Sequence, residues 1–179
     1  MTPERKVVVY IAMSLDGYIA GPNDDLTFLS TVEKEGEDYG YSAFYKTVDT
    51  IILGRKTYDW VMKQVPVFPH SGKESYILTS TARPAIGKTR FYTGDVKELI
   101  AKLKSQPGKN IFIDGGAETV TALLQDKLVD EFYISIIPIL LGEGIRLFKD
   151  GRPAQQLKLV ETKPYDTGLV QLHYKRFES

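Results

Sequence analysis

The chain has 179 residues, 42% of them hydrophobic and 11% aromatic, enough for one sizeable core and too few to make two domains the default, so residues 1–179 read as one domain. Lysine plus arginine and aspartate plus glutamate both total 23, so no excess of cations points to nucleic acid or to an anionic membrane surface. The absence of cysteine removes disulfides, thiol nucleophiles and thiolate metal sites, and His70 and His173 lie too far apart for zinc-like spacing, so no metal site is expected.

The amino terminus, MTPERKVVVY, leads straight from a few charges into a first strand, VVVYIAM, with no signal-peptide pattern. The longest apolar run, Ile134 to Leu141, contains Ser135 and Pro138 and falls far short of the roughly 20 residues that span a bilayer. A cytoplasmic protein is expected. After the first strand, SLDGY reads as an Asp-Gly turn around Asp16 rather than a catalytic motif. In GPNDDLTFL, Asp24 or Asp25 either caps the following segment or faces a cleft and lends a proton to a bound heterocycle. Residues 33–40, acidic and glycine-bearing, suggest a mobile loop, and a helix is expected over 41–47.

The next strand, TIILG, runs into RKTYDW. Here Gly54 is followed by two fixed cations, Arg55 and Lys56, and by the Thr57 hydroxyl at the start of a helix over 56–64. Either this is a phosphate-holding turn, or Thr57 is a cap flanked by two solvated cations. A third strand, SYILTS, ends in the hydroxyls of Thr79, Ser80 and Thr81. In residues 95–104, Val96, Leu99, Ile100 and Leu103 share one helical face, Asp95 suits the first turn and Pro107-Gly108 stops the helix. The strand NIFID leads into GGAET and a helix over 117–127; Gly115 and Gly116 could expose amides to a pyrophosphate, although an ordinary tight turn explains this motif better when it is taken alone. The apolar strand EFYISIIPIL follows, in which Ser135 reads as a tolerated small polar residue. The carboxyl end alternates around Asp166-Thr-Gly168, a hairpin signal, with His173 expected on its solvent side. Alternating strands and helices predict an α/β fold with a mostly parallel central sheet flanked by helices and a C-terminal antiparallel hairpin. In such a sheet, ligands bind beyond the carboxyl ends of the strands, where these polar and glycine-bearing turns fall.

The ordered set YIAMSLDGYIAG, LGRKTYDW, ILTS, IDGGAET and DEFYISIIPILLGEGIRLF resembles the dihydrofolate reductase superfamily over nearly the whole chain. It is more similar to the branch typified by the reductase domain at the carboxyl end of the bifunctional riboflavin-biosynthesis deaminase and reductase. The resemblance implies an NADPH-dependent oxidoreductase that passes a hydride to a pyrimidine, such as an aminouracil ribose phosphate, or to a related flat heterocycle. By position, Ala12 and Ile19 would border the nicotinamide, Gly54, Arg55, Lys56 and Thr57 would hold phosphates, Leu78, Thr79 and Ser80 would line the adenosine side, and Gly115, Gly116, Ala117 and Glu118 would lie under the pyrophosphate. A strained or cis peptide near Gly115 is implied as well. Asp25 and Ser135 match the acidic residue and its supporting hydroxyl, and so form the implied catalytic pair. Lys73 stands where folate reductases anchor the glutamate tail, and the chain is expected to stand alone as a reductase without a fused zinc-ligating deaminase domain. Rival readings are a dihydrofolate reductase, or a nucleotide- or pterin-binding protein without turnover. The apolar ISIIPILLGEGIRLF offers a homodimer interface, which burial inside one chain explains equally well.

Overall fold

The structure, a computed structural model, describes residues 3–178. In chain order the strands are β1 Val7–Ser14, β2 Tyr18–Ala20, β3 Val48–Gly54, β4 Glu74–Leu78, β5 Thr89–Tyr92, β6 Asn110–Ile113, β7 Glu131–Ile137, β8 Ile145–Arg146, β9 Leu157–Pro164 and β10 Val170–Arg176. The α-helices are α1 Tyr41–Tyr45, α2 Arg55–Gln64, α3 Val96–Lys104 and α4 Ala117–Gln125. Eight strands form one sheet in the order β5-β4-β3-β6-β1-β7-β10-β9, parallel from β5 to β7 and antiparallel through the last two. The chain moves outward from β1 to β5 and then returns to insert β6 between β3 and β1, so the carboxyl ends of these central strands open onto one crevice.

Apolar residues with a period of two bury both faces of the central strands. Val7 and Val9 of β1 join Ile111 and Ile113 of β6 beneath α3 and α4, while Val8, Ile51, Leu53 and Phe112 pack with Phe44 of α1 and Tyr58 of α2. A smaller cluster, Phe28, Val32, Ile137 and Leu169, seats the 3₁₀ turn Thr27–Val32 against β7. The helix over 95–104 forms as its apolar spacing requires: Leu99, Ile100 and Leu103 are buried, and the Asp95 carboxylate caps the helix by accepting from the Lys97 N–H at 2.7 Å. The segment over 33–40 is tied to the hairpin turn, because the Tyr39 hydroxyl contacts both the Val32 carbonyl and the Thr167 hydroxyl.

Three strands escaped the sequence reading. Residues in β5 form only a short edge, and β2 pairs with β8 in a separate ribbon of two short strands, too short for periodicity to register. The C-terminal hairpin forms as expected, but His173 does not face solvent. Strand β10 lies between β7 and β9, so the His173 ring stacks on Tyr133 at 3.9 Å and its Nε2 meets the Glu131 carboxylate at 2.9 Å. The segment read as a candidate dimer face is divided, with Ile134, Ile137 and Leu147 buried within the chain and Leu140 exposed.

Candidate active site

A cleft of about 1120 Å³ opens at the carboxyl ends of β1, β3, β4 and β6. The turns after β3 and β6 form its floor, and their close approach depends on two glycines. A Cβ on Gly54 would stand 3.0 Å from the Thr119 hydroxyl, and one on Gly116 would stand 3.0 Å from the Thr57 hydroxyl. The Gly54 N–H also donates to the Gly115 carbonyl at 3.0 Å, joining the two turns, and the Gly115–Gly116 peptide is cis. Helices α2 and α4 both begin at this floor, with Gly54 and Gly116 at their N-cap positions and no side-chain cap on either. Their first N–H groups therefore lack the kind of partner that Asp95 gives α3, and they lie beside open space with the positive ends of two helix dipoles.

Two charged groups lie on the rim. Asp59, one turn along α2, takes Arg55 at 2.7 Å and Arg83 at 3.0 Å, and the Arg83 guanidinium, with Arg55 beside it, holds the Asp59 carboxyl below its usual range. Lys56 and Lys149 share the Glu118 carboxylate at 3.5 and 4.0 Å. The Lys56 and Glu118 side chains are strongly exposed, so this second pairing contributes little to stability and exchanges readily.

All thirteen residues assigned by resemblance to a cofactor, from Ala12 and Ile19 through Glu118, line this one cleft. The implied catalytic pair does not. Asp25 is exposed, and its carboxylate accepts from the Thr27 N–H and hydroxyl, both at 3.0 Å, a local turn contact ahead of the 3₁₀ turn, whose own N-cap position is Leu26. Ser135 is buried and accepts from the Gln171 amide at 3.2 Å. That amide also reaches the Tyr10 hydroxyl and the Tyr39 carbonyl, and the Tyr10 phenol, which borders the cleft, is pushed up to about 12 by burial. Neither Asp25 nor Ser135 lines the cleft, and among the described residues no hydrogen bond joins them. Asp24, its neighbour, does reach the wall.

Lys73 also lies elsewhere. It borders a separate cavity at the amino ends of β3 and β4, donates to the Val48 carbonyl at 2.6 Å and sits over the Tyr45 ring. Asp16 is the turn residue that its Asp-Gly motif suggests. Its carboxylate accepts from the Ser14 hydroxyl at 2.5 Å, the Gly142 N–H at 2.7 Å and the Leu141 N–H at 3.1 Å. The sequence reading missed Asp114, a cleft-lining carboxylate whose Oδ2 meets Nε2 of the buried His70 at 2.8 Å. The only signal available was its place immediately before the two glycines.

Residues 5–171 match the family described as the RibD C-terminal domain. The chain belongs to the RibD C-terminal domain family. It is 44% identical to the Bacillus subtilis (strain 168) protein YwjB, over 97% of this chain and 99% of that one. Among solved structures, it is similar to a putative riboflavin biosynthesis protein from Shewanella sp. PV-4, with a TM-score of 0.88, 31% identity and coverage of 97% of this chain and 99% of the other. The dihydrofolate reductase of Enterococcus faecalis, solved with NADP(H), superposes with a TM-score of 0.68 at 18% identity over 99% of this chain and 100% of its own, which establishes the dihydrofolate reductase-like fold.

Proposed function

We propose that this protein is an NADPH-dependent reductase that delivers a hydride to a pyrimidine of the aminouracil ribose phosphate kind or to a related nitrogen heterocycle. The observation that carries the reading is the meeting of two uncapped helix N-termini, α2 and α4, over one glycine floor in a cleft lined by every residue assigned to the cofactor. The donor set fits a dinucleotide phosphate. N–H groups at two helix starts suit a pyrophosphate, Arg55 and Lys56 supply charge-assisted donors for further phosphate oxygens, and absent Cβ atoms at Gly54 and Gly116 leave room for close approach.

NADPH, when bound, supplies the hydride. The chain's own contribution is placement. Arg55, Lys56 and Thr57 would hold the phosphates, Ala12 and Ile19 would form an apolar border for the nicotinamide, and Leu78, Thr79 and Ser80 would take the adenosine side. Trp60 and Tyr10 give the remaining wall flat surfaces suited to a planar heterocycle. Dihydrofolate loses support because Lys73, the counterpart of its tail anchor, lies outside the cleft.

NADPH fluorescence on titration tests the first half, and saturable binding is expected. Absorbance of NADPH is then followed with the aminopyrimidine ribose phosphate or dihydrofolate present. Oxidation with the former alone is the expected result; oxidation only with dihydrofolate would replace the substrate assignment, and no saturable NADPH binding by folded protein would remove the reductase reading.

A further inference from the structure

His70 lies in the loop between α2 and β4, is 6% exposed and has both ring nitrogens engaged. Its Nδ1 meets the Tyr45 hydroxyl at 3.0 Å, and its Nε2 meets Asp114 Oδ2 at 2.8 Å. Phe68 and Phe112 pack edge-on against the ring at 5.3 and 6.0 Å, and Tyr45 lies at 5.5 Å. An ionised carboxylate can only accept, so Nε2 carries the proton toward Asp114. With that single proton on Nε2, Nδ1 is the atom that faces the Tyr45 hydroxyl and can accept from it. This is the arrangement by which an outer partner sets a histidine tautomer and aims the group beyond it.

The group aimed is distinctive. Four carboxylates line the cleft: Asp24, Asp59, Asp114 and Glu118. Asp59 is taken by two arginines and Glu118 by two lysines, whereas the partner of Asp114 is an imidazole. Only one of its oxygens is used by that ring, and its side chain remains 31% exposed to the cleft. The phenols of Tyr41 and Tyr45 are pushed up by burial, with the Asp114 charge adding to the effect, so both remain neutral donors beside it.

We propose that His70 is a positioning residue. Through the Tyr45–His70–Asp114 chain it holds the Asp114 carboxylate in the cleft as the acceptor for an N–H edge of the heterocycle. This rests on the reductase reading for the identity of the second ligand. It assigns substrate recognition to Asp114 and makes the preferred substrate class one with ring or exocyclic N–H donors, such as an aminopyrimidine, over ring systems that offer acceptors alone.

The test uses 6-aminouracil as the probe, with NADPH titrated separately by fluorescence. His70 is one of two histidines, so nitrogen-15 histidine labelling resolves it, with His173→Gln giving the assignment. The expected wild-type signal is a ring protonated at Nε2 that shifts when 6-aminouracil binds. His70→Phe fills the aromatic pocket but lacks the donor, and Asp114→Asn lacks the charge. Each should weaken 6-aminouracil roughly tenfold. In turnover each should raise KM for the heterocycle by more than it lowers kcat, leaving NADPH affinity near the wild-type value. His70→Gln can still present an N–H to Asp114 and should recover most of the loss. Should His70→Phe fold poorly, Tyr45→Phe provides the same test from the far end of the chain, with mixed tautomers and roughly threefold weaker probe binding. Wild-type-like probe affinity in His70→Phe or Asp114→Asn, or no probe binding by wild type, overturns the proposal. Absence of NADPH binding overturns the reductase reading instead, and the two titrations report these failures separately.

Discussion

At the scale of single residues, the same acidic side chain does different work according to its neighbours. Asp16 accepts three hydrogen bonds, and the Ser14 hydroxyl, followed by the Gly142 and Leu141 N–H groups, holds its carboxyl at about 2 against an ordinary 3.8. The folded state thus binds this proton more weakly than the unfolded chain. The stabilisation it brings is complete above pH 3.8 and is lost as the pH falls toward about 2. Urea midpoints measured down this range should fall more steeply for wild type than for Asp16→Asn; parallel curves would show that the three contacts carry no pH-dependent stability. Arg55 differs because its partner can be exchanged. Asp59 already holds it, and Arg83 remains to satisfy Asp59 when a phosphate draws Arg55 away. Arg55→Ala should therefore weaken NADPH by about 1.5 to 3 kcal/mol, the range for a lost charge-assisted contact, with little change in melting temperature. Unchanged affinity by fluorescence titration would move the phosphate site elsewhere.

At the scale of elements, the site depends on how helices start. Helix α3 begins with its own cap at Asp95, while α2 and α4 begin on glycine at the cleft. Gly116 has φ −75°, which alanine can adopt, so Gly116→Ala should fold; its methyl, however, would press on the Thr57 hydroxyl at the cleft floor. Weakening of NADPH by roughly tenfold or more with a melting temperature near wild type is expected, as for a filled ligand cradle. Equal losses in both would make the glycine a packing residue only. Local pattern also explains what could be read in advance. The long strands, the helix from Asp95 and the hairpin at Asp166 announce themselves through period and turn chemistry, and the glycine-bearing turns after β3 and β6 lie at strand ends where an open sheet places ligands. His70 could not be read in this way. Its role arises from Tyr45 and Asp114, which lie 25 and 44 positions away, and nothing in a lone histidine beside Pro69 indicates a carboxylate partner. The environment of His173 was hidden for a similar reason, since its partners Tyr133 and Glu131 lie on the neighbouring strand β7, far away in sequence.

At the scale of the whole molecule, the cleft gathers residues from Tyr10 to Lys149, spanning the parallel part of the sheet and both helices that start at its floor. The hairpin of β9 and β10 supplies none of the lining, but Gln171 on β10 ties Tyr10, Tyr39 and Ser135 together behind the wall. A ligand spread across so many elements binds the folded chain and has no comparable site on the unfolded one, so its binding free energy adds to the stability of the entire sheet. At a free NADPH concentration roughly a hundredfold above Kd, the gain is about 2.7 kcal/mol, which for a chain of this size raises the melting temperature by roughly 5 to 10 °C. NADH at the same concentration lacks the 2′-phosphate, which on the proposed reading Lys56 would receive, and it should give a clearly smaller rise. Raising the salt concentration should narrow the difference between the two, because Lys56 is strongly exposed and its attraction for phosphate is screened. Thermal unfolding followed by circular dichroism across both nucleotides and two ionic strengths measures all three effects. Equal rises for NADPH and NADH at low salt would remove the preference assigned to the cations at the start of α2, and no rise with either would remove the cofactor itself.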